Sequence, residues 1–533
     1  MNKMAKLLLA ALIFTSWAKG GLEYQWNLWL IDSVVLVVAL STIFSHSTKR
    51  KAFALALAPI LVIGFCVFIS FLNPRYTTLD LKEWNKLNAG QYFTDENDLK
   101  KVGMLSNGFR NINAVREKDP QLALTLFFDL KNRFSDQFTD IDSPSSALLN
   151  AYEEKIFANP VESLPTIPLR NSTSIHGAIH FLFQISFGVA IYFTLRTRKE
   201  IRNFVWVIAI NAGLLALIGI IQKIHYVPSD SVKEIFGIWD APEPRYFYSS
   251  FTYKNHWCTF ALLSFFSVIA LLYYQSKNGN GKIFHNKSAF LLTGLAATLL
   301  LSVPHSGSRS GVAIVLLIIS YSTCKFLFRP TRQGSKIKWQ LALSIITLLS
   351  IIFSFSFFIN RDNSSEMLSN SKSQFTELSN QKLPLRMLLW SDLVDQICTE
   401  TLWGHGYNSY PAINPIHQSR QVRDRRSIGM EHAHNPYTPL VGRGHSDFLE
   451  IISEFGIPSF MLLILLPVLA TAEIVRNPSL FPKIMLMGCL AFFLYFLVDF
   501  PTRSPACILL FGSILGLSLK YAQITDSLQN SKI

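Results

Sequence analysis

Charged residues are scarce in this 533-residue sequence: they make up 16% of it, while hydrophobic residues make up 50%. This share does not suit an ordinary soluble enzyme, in which charged residues make up roughly a quarter of the chain. The net charge is +14, but Lys and Arg fall in short clusters between long apolar runs, unlike the continuous basic surface that binds nucleic acid. The composition therefore predicts a membrane protein with no nucleic-acid partner.

Cysteine is also scarce, with six residues in the whole chain. Most of them lie inside apolar runs, and none shows the Cys-x-x-Cys or Cys/His spacing of a zinc site. Only Cys398 lies in a hydrophilic segment, so an intrachain disulfide framework is not indicated. The sequence also has no internal repeat of the kind that builds two-halved transporters.

Long apolar runs account for most of the chain, and about twelve of them are long enough to cross a bilayer. They lie near residues 5–18, 28–45, 52–73, 174–195, 202–222, 256–275, 288–304, 310–328, 340–359, 456–475, 484–500 and 504–519. Inside a bilayer every backbone polar group must be paired within the protein, so these runs predict an all-α polytopic membrane protein. Residues 1–18, with Lys3 and Lys6 near the start and an apolar run after them, also have the features of a cleavable signal peptide.

The positions of Lys and Arg predict the orientation, because positively charged short loops stay in the cytoplasm. The basic loops include residues 49–51, 196–202 and 277–287. This pattern places both termini in the cytoplasm and two long hydrophilic segments outside. Five regions follow: 1–73 with three spans, the outer segment 74–173, 174–359 with six spans, the outer segment 360–455, and 456–533 with three spans and a short cytoplasmic tail.

The first outer segment offers little chemistry. Leu126, Phe127, Leu130 and Phe134 have the spacing of one helix face, which predicts a small, partly helical domain. The pair Asp140 and Asp142 is similar to the acidic pair of metal-dependent glycosyltransferases. It lies beside Ser and Pro with no partner His, however, so a solvated loop is the simpler interpretation.

Polar residues at the predicted outer ends of spans are the informative ones, because an apolar helix does not need them to stay in the bilayer. Arg245, Lys254 and Asn255 precede the sixth span and could hold an anionic group, although an aromatic interfacial belt with cations is the alternative. Arg309 lies in a very short Gly- and Ser-rich turn before the eighth span. An anion there could meet both a guanidinium and a helix N-terminus, while a plain polar turn is the alternative.

The second outer segment holds two more clusters. In the first, Arg386 lies one turn before Trp390 on a predicted amphipathic helix, and a Gly-rich turn follows at residues 404–406. This combination suits a phosphate and a sugar ring, but ordinary surface packing also accounts for it.

The second cluster contains His434, Arg443 and His445, with a predicted helix from Asp447. An imidazole beside cations at the interface is a plausible general base, and a capping or packing histidine is the alternative. Metal binding by the histidines is not favoured, because no His-x₃-His pair occurs. Asp447 and Glu450 form no metal-binding spacing either.

Together these clusters resemble the O-antigen ligase and O-antigen polymerase superfamily. The family pattern is His, then Asn, Ser or Gln, nine residues, and Gly-x-x-Gly. Here His445 and Ser446 are followed by nine residues and Gly456, with Ser459 where the last Gly is expected. Weaker matches are Phe251-x₃-Asn255-His256, Ser308-Arg309-Ser-Gly311, Arg386-x₃-Trp390 and Gly404-x-Gly406. The resemblance covers about residues 175–500 and leaves the segment 74–173 without a counterpart.

The resemblance implies an all-helical, GT-C-like enzyme of the bacterial inner membrane. It would transfer a glycan from undecaprenyl diphosphate to an acceptor hydroxyl on lipid A-core, a glycan or a protein, with inversion and with no metal or other cofactor. His445 would be the base, while Arg309 and Arg386 would stabilise the leaving diphosphate in place of Mg²⁺. Residues expected to bind substrate are Arg245, Lys254, Asn255, Trp390, His434 and Arg443.

Other functions stay open. A polymerase and a protein O-oligosaccharyltransferase share these motifs. One base beside an Arg cluster favours a ligase, although Arg245 with Lys254 could supply the second cationic site that a polymerase needs. A lipid-glycan flippase would need polar residues in mid-span, for which Asn211 and Gln184 are among the few candidates. A non-enzymatic envelope assembly protein would use the outer segments as docking surfaces.

Overall fold

The structure, a computed structural model, describes residues 1–21, 25–44, 47–77, 96–137, 144–225, 234–240, 247–278, 287–328, 372, 383–427 and 440–530. These residues are mostly helical. The helices are α1 (Lys3–Trp17), α2 (Gln25–Ile43), α3 (Ser47–Leu72), α4 (Glu96–Arg116), α5 (Pro120–Gln137), α6 (Pro144–Ile156), α7 (Ser172–Thr194), α8 (Arg198–Ile224), α9 (Lys254–Asn278), α10 (Lys287–His305), α11 (Arg309–Phe328), α12 (Leu385–Thr399), α13 (Tyr410–His417), α14 (Arg420–Ser427), α15 (Asp447–Arg476), α16 (Leu480–Val498) and α17 (Pro505–Asn530).

Strands are short and few in the described residues. β1 (Pro74–Tyr76) pairs in parallel with β2 (Ile167–Leu169), and β3 (Glu234–Ile235) pairs antiparallel with β4 (Trp239–Asp240). The prediction of an all-α fold is therefore confirmed.

Eight described helices are long and apolar enough to cross a membrane: α3, α7, α8, α9, α10, α15, α16 and α17. Helices α1, α2 and α11 coincide with three more of the predicted spans, while the span predicted at 340–359 lies outside the described residues. On α3, Leu55 is 77% exposed and Leu61 65% exposed, as expected of side chains that face lipid. The chain is an integral membrane protein.

The chain divides into two compact units. Unit 1 comprises Met1–Ala58, Leu182–Ser379 and Leu465–Ile533. Its centre is α9, which packs against α8, α10, α16 and α17 and buries Trp257 and Phe260. Elsewhere in unit 1, Gly188 of α7 lies against Gly512 of α17. Small residues at such contacts let membrane helices approach closely.

Helix α1 is held at both ends inside unit 1. At its start the Asn2 side chain donates to the Thr194 carbonyl at 2.8 Å, and the terminal amine lies 3.5 Å from Glu200. At its end the Trp17 indole donates to Asn211 at 2.7 Å. The N-terminus thus lies beside the loop at 194–200, which belongs to the predicted cytoplasmic set.

Unit 2 comprises Pro59–Phe181 and Asn380–Ile464. Its main core combines α4, α5 and α6 with α13 of the second outer segment. The face predicted from Leu126, Phe127, Leu130 and Phe134 is buried in this core, together with Ala412 and Ile413 of α13. The two outer segments therefore fold as one unit, a feature that the sequence did not reveal.

Candidate functional site

His445 lies in a tight turn immediately before α15, in unit 2. Its φ is +54°, a left-handed conformation that non-glycine residues adopt rarely. Ser446 follows and begins the helix: its hydroxyl accepts from the Leu449 N–H at 3.4 Å, as expected of an N-cap residue. The predicted helix start at Asp447 is confirmed, and the half-buried imidazole lies at the beginning of this helix.

An ion pair holds the chain that leads into this turn. Glu450, fully buried, accepts from the Arg443 guanidinium at 3.1 Å and from the Gly444 N–H at 3.0 Å. Arg443, 31% exposed, also donates to the Asn408 side chain at 3.0 Å. Gly444 packs closely against Leu393, whose side chain would have to move to admit a Cβ at this position. Gly444 is thus held through its backbone N–H, and Arg443 is held through its side chain.

Trp390 fixes His445 from α12. Its indole N–H donates to the His445 carbonyl at 3.2 Å. Arg386 lies four residues earlier on the same helix, and residues with this spacing share a helix face. The structure therefore brings Trp390 into contact with the backbone of His445, and Arg443 lies two residues before His445 in the same turn. The half-buried Arg386 lies on the Trp390 side of α12.

The glycines of the family pattern have a structural role at a break in α15. Gly456 has φ +75° and ψ 165°, a combination restricted almost entirely to glycine. A Cβ at Gly456 would collide with the backbone of Leu402, and one at Gly404 would lie 2.5 Å from the Gly456 nitrogen. The Gly-rich turn and the helix break thus fit against each other backbone to backbone.

Hydrogen bonds across this contact replace those that the helix loses. Pro458 has no N–H to offer the Glu454 carbonyl, which instead accepts from the Gly406 N–H at 2.8 Å. The Ser453 carbonyl accepts from the His405 N–H at 2.8 Å. The Glu454 and Ser453 carbonyls therefore keep a hydrogen-bond partner at the break, and this stabilises the break.

His405, within the Gly-rich turn, is a buried histidine of a different kind. It is 2% exposed, and its Nε2 donates to the Gln396 carbonyl at 3.0 Å. Burial lowers the pKa of His405 to about 3, and it also lowers the pKa of the neighbouring His417. His405 is therefore neutral at physiological pH and fastens the turn to α12.

Unit 1 contains a second polar cluster, around the Arg309 turn. Ser308 caps α11 by accepting from the Gly311 N–H at 3.1 Å, so Arg309 is the first residue of the helix. The Ser308 hydroxyl donates to the Asn255 side-chain oxygen at 2.5 Å. Asn255 is 4% exposed, and its amide donates to Asp499 and to Tyr253. Asn255 thus holds the turn that carries Arg309.

Further contacts complete this cluster. The Tyr495 hydroxyl lies 3.3 Å from that of Ser308, and the Asp499 carboxylate also accepts from the Phe500 N–H at 3.0 Å. Gly311 allows the close packing, because a Cβ there would lie 2.7 Å from the Tyr495 hydroxyl oxygen. Lys254, the first residue of α9, is half-buried beside Asn255.

Two predicted residues, Arg245 and His434, lie outside the described part of the chain, as do Asp140 and Asp142. Within the described ranges, no group of three His, Cys, Asp or Glu residues is arranged to hold a metal ion. The metal independence of the reaction stays a prediction.

Sequence reasoning missed several positioning residues. Asn408 and Asp499 contact partners 35 and 244 residues away along the chain, and no local pattern marks such pairs. For Glu450 a signal did exist. Asp447, Glu450 and Glu454 recur at the spacing of one helix face in an apolar stretch, and all three are at most 1% exposed.

In a comparison with protein families, residues 294–464 match the family described as O-antigen ligase. The matched region includes Arg309, Arg386 and His445, while Lys254 and Asn255 precede it. No curated protein sequence matches the chain. The match indicates ligase- or polymerase-type activity on a lipid-linked glycan. It confirms the resemblance drawn from the motifs: over residues 294–464 the chain is similar to the O-antigen ligase family.

Proposed function

We propose that this protein is an inverting, metal-independent glycosyltransferase of the ligase type. It moves a glycan from undecaprenyl diphosphate to an acceptor hydroxyl at the periplasmic face of the bacterial inner membrane. The observation that carries the proposal is the support of His445, whose turn is fixed by Trp390, Gly444 and the Ser446 cap. Such preorganisation suits a group that must meet a substrate in one orientation.

In the proposed reaction, the His445 imidazole removes the proton of the acceptor hydroxyl. The acceptor oxygen bonds to the anomeric carbon from the face opposite the diphosphate, and the bond from that carbon to the diphosphate oxygen breaks. Undecaprenyl diphosphate leaves with the electron pair. Arg386 and Arg309, with Arg245, bind the diphosphate and stabilise its growing charge. Lys254, Trp390, His434 and Arg443 contribute to substrate binding, and Asn255 acts through the Arg309 turn.

Both termini are proposed to be cytoplasmic. The terminal amine beside Glu200 supports this orientation, because it puts the N-terminus next to a basic loop. Flippase activity has less support, since the Asn211 side chain bonds to Trp17 and Ser16 and thereby joins α8 to α1.

Membrane vesicles with a labelled undecaprenyl-diphosphate glycan test the proposal. His445→Ala should reduce transfer by roughly 10²-fold or more, with normal expression, whereas His225→Ala, at an exposed histidine, should not. Activity of His445→Ala within a few-fold of the parent would remove His445 from the mechanism.

Arg386→Lys and Arg309→Lys should impair transfer, because lysine lacks the planar fork of the guanidinium group. Activity restored by Mg²⁺ or Mn²⁺ after EDTA treatment would contradict metal independence.

Deletion of the gene tests the ligase assignment. Long glycans that remain on polyprenyl diphosphate, with none on the final acceptor, would support a ligase. Accumulation of single repeat units would instead make the protein a polymerase.

A further inference from the structure

Gln121 links three parts of unit 2 through its side-chain amide. It lies in the first turn of α5, and its nitrogen donates to the Asn408 carbonyl at 2.5 Å. Its oxygen accepts from the Ser174 hydroxyl at 3.1 Å and from the Asn171 amide at 3.4 Å. Asn171 in turn accepts from the Ser174 N–H at 2.6 Å. Both polar atoms of Gln121 are therefore engaged, one with the start of α7 and the other with the turn before α13.

Asn408 is one hydrogen bond away from the Arg443–Glu450 pair. Its φ is +57°, a left-handed conformation that asparagine adopts more often than most other non-glycine residues. The carbonyl accepts from Gln121 and the side-chain oxygen from Arg443. Arg443 bonds to Glu450, which holds the N–H of Gly444, the residue before His445. A continuous series of hydrogen bonds thus leads from α5 to the His445 turn.

Helix α5 does not depend on Gln121 for its own position. Its apolar face is buried in the core of unit 2. Farther along the helix the Asn132 amide donates to the Pro415 carbonyl, and Asp136 accepts two hydrogen bonds from Arg423, at 2.6 and 2.8 Å. The loss of one amide at the start of α5 should therefore leave the helix in place.

We propose that Gln121 is a positioning residue for the transfer reaction, and that the segment containing α4–α6 is a scaffold for the His445 turn. This proposal rests on the role proposed above for His445. It gives a function to a segment outside the matched residues 294–464. Gln121 touches no reacting atom in this scheme: it fixes the Asn408 turn, which fixes Arg443 and so the backbone that presents the imidazole.

Gln121→Glu tests the donor specifically, because the carboxylate keeps the acceptor oxygen but cannot donate to the Asn408 carbonyl. Asn132→Asp is a matched control on the same helix. It also removes an amide that donates to a backbone carbonyl of the second outer segment, but that carbonyl, of Pro415, is not part of the series leading to Arg443. Both variants should lower the thermal midpoint to a similar, small extent.

The measurement is kcat and KM for the labelled donor in vesicles, with His445→Ala in the same series. Gln121→Glu should lower kcat about tenfold or more at nearly unchanged KM, because the geometry of the base changes and not its identity. Asn132→Asp should keep a parent-like kcat. Equal losses in the two variants, or a parent-like Gln121→Glu, would overturn the proposal, provided that His445→Ala is inactive. A parent-like His445→Ala would instead refute the proposed function.

A second measurement does not depend on transfer activity. The rate at which diethyl pyrocarbonate modifies His445, followed by mass spectrometry, reports the exposure of the imidazole. Gln121→Glu should change this rate severalfold and Asn132→Asp should leave it at the parent value. An unchanged rate in Gln121→Glu would show that the hydrogen bonds from α5 do not reach the turn, and would overturn the proposal even in a preparation that shows no transfer.

Discussion

The two units hold their candidate residues in helix-starting turns that are alike in form and different in chemistry. In both turns a serine caps a helix: Ser308 precedes Arg309 in unit 1, and Ser446 follows His445 in unit 2. The unit 1 turn rests on side-chain hydrogen bonds of Asn255, which end at one carboxylate. The unit 2 turn rests directly on the Arg443–Glu450 ion pair.

This difference agrees with the surroundings of each turn. The unit 1 turn joins two apolar helices, and its supporting side chains Asn255 and Ser308 are 4% and 0% exposed, so a charge in their place would be costly to bury. The unit 2 turn belongs to a hydrophilic segment and includes an arginine that is about one third exposed. The same local shape is thus supported by mostly neutral groups in one unit and by a salt bridge in the other. The two turns should therefore respond differently to mutation and to pH.

The largest effect should come from the helix break under the unit 2 turn. Gly456→Ala forces a side chain into a conformation that only glycine tolerates and into the Leu402 backbone. We expect a loss of roughly 4 kcal/mol or more in the stability of unit 2, measured by thermal unfolding in detergent. Gly442→Ala is the control, because a Cβ there meets nothing within 4 Å. Equal midpoints for the two variants would show that the break is not rigid.

The ion pair should give the next largest effect. Arg443→Met removes one partner of the ion pair with the fully buried Glu450, and such a loss costs about 3 kcal/mol. The double variant Arg443→Met with Glu450→Gln should regain part of this loss, because the stranded charge is gone. A double variant that is less stable than Arg443→Met alone would show that the pair is not the support of this turn.

A smaller effect should appear on acidification of unit 2. Because burial lowers the pKa of His405 to about 3, the unfolded chain binds a proton below about pH 6.5 while the folded protein does not. Stability should therefore fall between about pH 6.5 and 3, by about 2 kcal/mol at pH 5. The loss of thermal midpoint from pH 7 to 5 should shrink in His405→Gln. The same pH dependence in that variant would assign the acid sensitivity to another group.

The smallest effect should come from the neutral turn of unit 1. Ser308→Ala removes the cap of α11 and the hydrogen bond to Asn255, which together should cost about 1 kcal/mol. The neighbouring Ser310→Ala provides the control. The difference between the two midpoints should be the same at pH 7 and 5. A pH-dependent difference would contradict the neutral character of this support.

Much of the fold could be predicted from the sequence, because a helix that crosses the bilayer requires a long apolar run. Apolar runs of sufficient length marked nearly every long helix in the described residues, and the spacing of Phe127 and Phe134 marked the buried face of α5. The helix start at Asp447 followed from spacing alone. The predicted span at 456–475 missed that α15 continues on both sides of Gly456, because hydropathy measures apolar length and does not detect a helix that begins in a polar segment.

The site could be predicted only in part. His445, Arg443 and Trp390 belong to local motifs, whereas their supports join distant parts of the chain: Gln121 meets Asn408 across 287 residues. A hydrogen bond of this kind leaves no periodicity in either segment. The union of the two outer segments in one core was missed for the same reason, since apolar spacing shows which residues are buried but not against which partner.

The contact between the Gly-rich turn and the broken helix has a consequence for the stretch of chain between them. The His405 nitrogen and the Ser453 carbonyl oxygen are 2.8 Å apart, so this hydrogen bond joins the two ends of the stretch that carries Arg443 and His445. The cost of closing such a loop rises by only about 0.6 kcal/mol for each doubling of its length. Residues inserted into this stretch outside α13, whose Ala412 and Ile413 belong to the core of unit 2, should therefore cost little stability.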